Sequence, residues 1–414
     1  MSSEAILRQQ SLESTKPGSA LDPAVWLARL RVEAFRSYAC AELATDGRPV
    51  VLTGPNGAGK TNLLEAISFL APGRGLRRAR LAEIEHRTEY EPTNGAGSRA
   101  RMPWAVAATV VTPDGPRELG TGRDPAAEPN GRERRLIRID GAPARGQQSL
   151  SEILALVWLT PQMDGLFREG ATGRRRFLDR LVYGFDPAHA GRVGAYEQAL
   201  RERARLLRTG QADPAWLSAL EEGLAGRGVA IAAARRATVA RLAEACAGGT
   251  GAFPVAELAL AGEVEAWLDE VPALDAEERL RERLAAVRGE DAETGGAALG
   301  PHRSDLLVRH VGRDQPAELC STGEQKALLI AIVLAHARLL AAQRGAPPVL
   351  LLDEVAAHLD PARRQALYDE ILGLGAQAWL TGTEPAIFAE FGTAAQFIHV
   401  GNARLVPASP PAAA

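Results

Sequence analysis

Lysine is nearly missing from this chain of 414 residues: of its 48 Lys and Arg side chains, only Lys16, Lys60 and Lys326 are lysine. A formal net charge of −3 supplies no global pull toward nucleic acid, so any such contact has to come from a local patch, which arginine abundance alone does not create. Cysteine is also scarce. Cys40, Cys246 and Cys320 are scattered and odd in number, which argues against a disulfide framework or a zinc site and fits a reducing compartment. Long apolar runs are absent too: the longest, Ala327 to Ala335, is interrupted by His336 and Arg338, short of a bilayer span. The N-terminus has Glu4, Glu13 and Asp22 and no apolar core, so it does not read as a secretory signal. These absences lead us to expect a cytoplasmic protein with no membrane partner, a flexible leader over 1–24 and a disordered tail over 407–414. With 46% hydrophobic residues, the chain can furnish two or more cores.

Where lysine does occur is informative. Gly54-Pro55-Asn56-Gly57-Ala58-Gly59-Lys60-Thr61 follows the apolar run Val50-Val51-Leu52 and precedes the helix-like Asn62-Leu63-Leu64-Glu65-Ala66-Ile67. Strand, G-x-x-x-x-G-K-[ST] and helix together make a complete phosphate-binding loop. Glycines let successive N–H groups point at phosphate oxygens, and the helix N-terminus adds a favourable dipole. Lys60 is expected to reach the β/γ-phosphates and Thr61 a Mg²⁺ ion, with Gly54 through Asn62 binding ATP. Keeping lysine here, in a chain otherwise built on arginine, suggests that position 60 needs a compact ammonium.

Around this loop the texture changes twice. A strand pattern runs from Leu27 to Phe35, and β-like segments follow at Trp104 to Val111, Arg117 to Gly120 and Leu136 to Ile139, the last ending in the turn signal Asp140-Gly141. They predict an antiparallel sheet beside the nucleotide site. Beyond Gly165 the spacing becomes helical, as in Tyr196 to Leu207 and Trp216 to Leu242, without the sustained heptads of a long coiled-coil arm. Ala327 to Leu340 then reads as a buried helix, and Val349-Leu350-Leu351-Leu352 as a strand in the middle of a parallel sheet. The expected organisation is an α/β ATPase domain over 25–163 and 297–406, with a helical insertion over 164–296.

The strand Val349 to Leu352 ends in Asp353-Glu354. Such a pair at the C-terminal end of a buried strand fits a Walker B element, with Asp353 holding Mg²⁺ and Glu354 polarising the attacking water as the catalytic residue. Ser321-Thr322-Gly323-Glu324-Gln325 opens the buried helix with a hydroxyl cap and a glycine, a second anion-binding surface. Pro161-Gln162 places a polar side chain at the end of the apolar Leu156 to Leu159.

Between a phosphate loop and an acidic strand, Ser321 to Gln325 resembles the signature motif of the ATP-binding-cassette superfamily. That resemblance implies a signature acting in trans on the γ-phosphate held by a second chain, a Q-loop role for Gln162 on Mg²⁺, and a D-loop role for Asp360. It also implies a mixed sheet with flanking helices plus an antiparallel β part. The switch histidine expected after the next strand is missing: Trp379-Leu380-Thr381-Gly382-Thr383 has threonines there, which suggests slow turnover used as a timer. The same motifs would serve the ATPase subunit of a transporter, the alternative reading.

Four segments are similar to the RecF family of bacterial recombination mediators, from about Leu27 to Val406. They are Phe35-Arg36-Ser37-Tyr38 with the phosphate loop, Arg174-Arg175-Arg176-Phe177-Leu178-Asp179, Gly300-Pro301-His302-Arg303-Ser304-Asp305-Leu306 with the signature through Lys326, and Asp353 to Asp360. Gln162 departs from the Glu of many relatives. The resemblance implies a protein of DNA replication, recombinational repair and SOS induction. It would dimerise with ATP on single-stranded or gapped DNA, release it on slow, DNA-stimulated hydrolysis, and work with the RecR and RecO proteins. Arg174, Arg175 and Arg176 are candidate DNA contacts, with Arg77 and Arg78 next.

Overall fold

The computed structural model describes residues 23–86, 103–124, 126, 134–210, 213–249 and 251–412, and all that follows concerns these. Of the expected leader only Pro23 and Ala24 fall among them, and 413–414 of the expected tail fall outside.

The centre is a six-stranded mixed sheet in the order Arg404–Ala408, Gln396–Gly401, Val50–Thr53, Ala378–Gly382, Val349–Leu352, Leu156–Leu159. All neighbours run parallel except the edge strand Arg404–Ala408, which closes a hairpin and reaches into the expected tail. Val50–Thr53 and Val349–Leu352 are buried along their whole length, as strands covered on both faces must be. Alternation then divides the side chains. Val51, Leu350, Leu352 and Leu380 join the core of the helix Thr322–Arg344, while Val50, Leu52, Val349, Leu351 and Trp379 pack under the loop helix Lys60–Ser68.

That second core is roofed by an antiparallel sheet in the order Tyr38–Ala44, Trp26–Phe35, Ala105–Thr112, Gly115–Arg123, Arg135–Ile139, Ala142–Pro143. The three β-like segments from Trp104 onward form as expected, and Phe35 meets Phe69 and Trp104 edge to face between roof and loop helix, with Phe69 tilted against Trp104. The helix Thr322–Arg344 is long and apolar enough to span a bilayer by length and composition alone, with a mean hydropathy of 1.5. In the fold 78% of that window is buried, as a central core helix.

Six helices make the lateral block: Ala171–Phe185, His189–Thr209, Pro214–Ala247, Glu263–Glu270, Ala273–Ala286 and Arg288–Thr294. One element departs from helical texture. Ala256–Ala261 is a strand, pairing antiparallel with Asp305–His310, which also carries the short Gln315–Pro316. Inside the block, Arg203 is almost fully buried and bonds Glu221 at 2.9 Å, Asp291 at 2.6 Å and the Leu284 carbonyl at 2.7 Å.

Candidate functional site

The phosphate loop turns between the strand Val50–Thr53 and the helix Lys60–Ser68 at the C-terminal edge of the parallel strands, where open α/β sheets place their ligands. Two of its glycines are dictated by space as well as by backbone. A Cβ on Gly54, at φ +148°, would sit 2.1 Å from the Val400 carbonyl oxygen, and one on Gly59, at φ +113°, would meet the Tyr38 hydroxyl at 2.8 Å. Tyr38 explains that crowding, because its hydroxyl donates to the Gly59 carbonyl at 3.0 Å while Asn62 donates to Ser37 Oγ at 2.9 Å. The turn after Phe35 therefore braces the loop from outside. Lys60 Nζ donates to the carbonyls of Gly54 and Pro55, at 2.7 and 3.0 Å, and burial pulls its pKa down against the opposing pull of Glu354 and Asp353. Glu65, fully buried on the loop helix, is held by Arg36 at 2.8 Å and Arg77 at 3.2 Å.

Strand register sets the acidic partner beside this loop. Leu352 lies opposite both Leu159 and Leu380, so Asp353, Thr160 and Thr381 follow at neighbouring strand ends. Asp353 Oδ1 accepts from Thr61 Oγ1 at 2.9 Å and from Thr381 Oγ1 at 2.7 Å. Burial raises the pKa of this carboxyl and the nearby Glu354 adds to it, while the two threonine bonds oppose. Glu354 stands at φ +51°, a left-handed conformation that costs a non-glycine residue of order 1–3 kcal/mol and recurs at functional sites. Its N–H donates to the same Thr381 Oγ1 at 2.9 Å. Thr381 is the residue that sequence reasoning passed over. In the sequence it marks only a place lacking histidine, whereas its hydroxyl ties both acidic residues together.

Gln162 lies in the short turn Pro161–Met163 after the strand Leu156–Leu159, exposed. Asp360 is the N-cap of Pro361–Leu374, accepting from the Arg363 N–H at 2.9 Å. Ser321 caps the helix Thr322–Arg344 in a reciprocal box with Glu324: the Glu324 N–H donates to Ser321 Oγ at 3.4 Å, and the Ser321 N–H to Glu324 Oε2 at 3.0 Å. Ser321, Thr322 and Gly323 face outward, while Gln325 turns inward to the Cys320 carbonyl at 3.0 Å. Among the described residues no hydrogen bond or ion pair joins Ser321–Gln325 to the loop 54–61. Lys326, one position on, does reach the acidic strand of its own chain, at 3.4 Å from the Glu354 carbonyl and 3.6 Å from Asp164.

The three consecutive arginines divide. Arg174 grips Asp305 with two bonds of 2.7 Å and also donates to the Glu169 carbonyl; Arg175 donates to the Ser304 carbonyl at 2.8 Å and to Thr172. Both are thereby committed to joining the helix Ala171–Phe185 to the Ser304-Asp305 segment, which counts against them as free phosphate contacts. Arg176 is exposed and has no ion pair among the described residues. Asp179 continues the clamp, holding Arg235 through bonds of 2.8 and 2.9 Å and His189 at 2.8 Å. Two segments far apart in sequence thus recognise each other in the fold.

A phosphate loop, an acidic strand aligned with it, and an outward-facing capped helix beside a helical block define an ATPase head of the ATP-binding-cassette type. Residues 26–390 match the family described as the RecF/RecN/SMC N-terminal domain. The chain is 48% identical over 388 residues to the DNA replication and repair protein RecF of Rhizobium meliloti (strain 1021), covering 92% of this chain and 98% of that one. It is 47% identical over 380 residues to the RecF of Rhizobium rhizogenes (strain K84), covering 91% and 97%. Among solved structures it is similar to one described as the recombination mediator protein RecF-ATPrS in the RecFOR pathway, with a TM-score of 0.77 at 21% identity over 94% of this chain and 99% of that one. An Smc head bound to the C-winged helix domain of ScpA shares the fold at a TM-score of 0.51 and 17% identity, over 93% of this chain and 98% of that one. The chain belongs to the RecF family of DNA replication and repair proteins.

Proposed function

We propose that this chain is an ATP-dependent DNA-binding protein of recombinational repair, which dimerises on single-stranded or gapped DNA with ATP and lets go on slow hydrolysis. The observation that carries the reading is the separation of two half-sites in one chain. The loop 54–61 lies next to Asp353 and Glu354, while the exposed Ser321-Thr322-Gly323 edge has no partner on that loop. A closed site then needs the signature of a second copy, which gives a two-fold pair with two composite sites.

In this reading the loop N–H groups and Lys60 hold the phosphates, and Glu354 aligns and polarises the attacking water. Thr381 holds Asp353 and the Glu354 backbone in register. The donors Thr61 Oγ1 and Asp353 are hard oxygens, bonded to each other at 2.9 Å, and they fit magnesium, with Gln162 as a further oxygen at the neighbouring strand end. When bound, Mg²⁺ supplies charge neutralisation on the phosphates. The RecR and RecO proteins are proposed partners on the strength of family membership, and SOS induction a proposed setting. Match to RecF proteins over 92% of the chain speaks against a transporter subunit.

Hydrolysis measured with and without gapped DNA tests this. We expect slow turnover that DNA stimulates; failure to bind gapped DNA with ATP at moderate salt would sink the proposal.

A further inference from the structure

A cavity of about 500 Å³ opens between the turn after the loop helix, the end of the strand Leu156–Leu159, and the helices Ala171–Phe185 and His189–Thr209. None of the loop residues 54–61, nor Asp353 or Glu354, lines it. Four guanidinium groups do: Arg74, Arg78, Arg176 and Arg180. No carboxylate of the described residues pairs with any of them, whereas the buried Arg203 and Arg235 each hold one. Three acids share the wall. Asp179 is already engaged by Arg235 and His189, Glu197 has Arg201 at 3.9 Å, and Glu169 lies beside Gly165 and Gly173 in the bend before the helix Ala171–Phe185.

Arg180 is the telling one. Its guanidinium is stacked over Trp158 at 4.8 Å and Phe177 at 5.4 Å, and the hydrogen bond it makes is to Met163 Sδ at 3.4 Å, a weak acceptor for a fork of five donors. Burial pushes it down to about 9, so the fold holds a cation where it is poorly satisfied. Arg78, on the turn after the loop helix, stands at φ +57°, a strained backbone for an arginine, close enough to Tyr183 to pull on its hydroxyl's ionisation. Four arginines line one cleft, and a bound anion would give the buried Arg180 the partner it lacks. Planar forks match phosphate oxygens, and the Trp158 and Tyr183 rings on the same wall suit a base or sugar.

We propose that this cleft is a second phosphate site, taking one nucleotide unit, either free or as part of a strand. Only the strand source rests on the DNA-binding reading above. A strand entering here would lie beside Gln162, so its arrival would be felt at the turn next to the acidic strand.

The test is titration of the full chain, its loop saturated with a non-hydrolysable ATP analogue, with thymidine 5′-monophosphate and with an oligothymidylate of about ten nucleotides, a length suited to one binding groove. Adding Arg78→Gln and Arg180→Gln should weaken oligonucleotide binding at least tenfold and reduce its salt slope by roughly 1.4, two contacts at about 0.7 each. In an otherwise unaltered chain the same pair should leave fluorescent ATP binding unchanged, which shows that the fold is intact. Arg180→Lys keeps the charge but not the fork, and should fall between. Loss of monophosphate binding with oligonucleotide binding unchanged supports the cleft with free nucleotide as its source. Monophosphate loss in a chain that never binds DNA keeps the cleft and removes the DNA reading. Both probes unaffected, with gapped-DNA binding retained, overturns the cleft and leaves the DNA reading standing.

Discussion

Thr381 shows how much one hydroxyl can decide. It donates to Asp353 and accepts from the Glu354 N–H, so Thr381→Val removes two bonds, one of them to a carboxylate. Bonds to charged groups are worth about 1.5–3 kcal/mol, and steady-state assays should show DNA-stimulated hydrolysis falling roughly 10- to 100-fold while nucleotide affinity changes little. Asp353 makes a converse prediction. Its pKa is raised by burial, so the folded chain disfavours the ionised form, and this carboxylate costs stability above its ordinary range, with the cost vanishing at acid pH. Asp353→Asn should therefore raise the Tm of the metal-free chain at neutral pH, with no gain at acid pH, while abolishing hydrolysis. His336 behaves as a base with the opposite sense. Fully buried against Phe185 and bonded to the Leu181 carbonyl at 2.9 Å, it is pushed down from 6.5 to about 4. The unfolded chain takes up its proton first, so stability present above pH 6.5 is lost as pH falls toward 4. Denaturant titrations should show His336→Gln flattening that slope. Motif spacing made Lys60, Thr61, Asp353 and Glu354 visible in the sequence; Thr381 was not, because its role exists only through the pairing of Leu352 with Leu380.

At the scale of elements, periodicity revealed most of what periodicity controls. The roof strands from Trp104 to Ile139 alternate, and the helix Thr322–Arg344 announces itself by apolar length and its Ser321 cap. Ala256–Ala261 did not. Its Ala-Glu-Leu-Ala-Leu-Ala is a helix-forming composition, and it becomes a strand because Asp305–His310 offers a complete ladder and a buried face for Leu258. The partner of Arg174 is hidden from the sequence for a related reason: it meets Asp305 only after the chain has travelled through the helical block and back. Inside that block, four helices converge on Arg203, with Arg288 also holding Glu221. Removing one partner of a buried pair leaves the others uncompensated, so Arg203→Met should cost ~3 kcal/mol in urea unfolding. Replacing an exposed pair such as Arg205 and Glu202 should cost little.

At the scale of the whole molecule, no hydrogen bond or ion pair among the described residues joins Ser321–Gln325 to the loop 54–61, and this makes the proposed dimer open to a complementation test. Lys60→Met spoils the loop and spares the signature; Ser321→Arg spoils the signature and spares the loop, since Ser321 is exposed and, among the described residues, shares no hydrogen bond with 54–61. Each variant alone should be inactive, because every composite site in its dimers is defective. In a mixed dimer the loop of the Ser321→Arg chain faces the intact signature of the Lys60→Met chain, giving one working site of two. Random pairing at equal concentrations makes half of all dimers mixed, so hydrolysis should return to roughly a quarter of the unaltered level. Activity that stays at zero on mixing, while cross-linking shows that mixed dimers form, would mean that each chain completes its site within itself. Recovery would place Ser321 opposite the partner's loop, and the ATP-dependent pairing would then be what holds DNA.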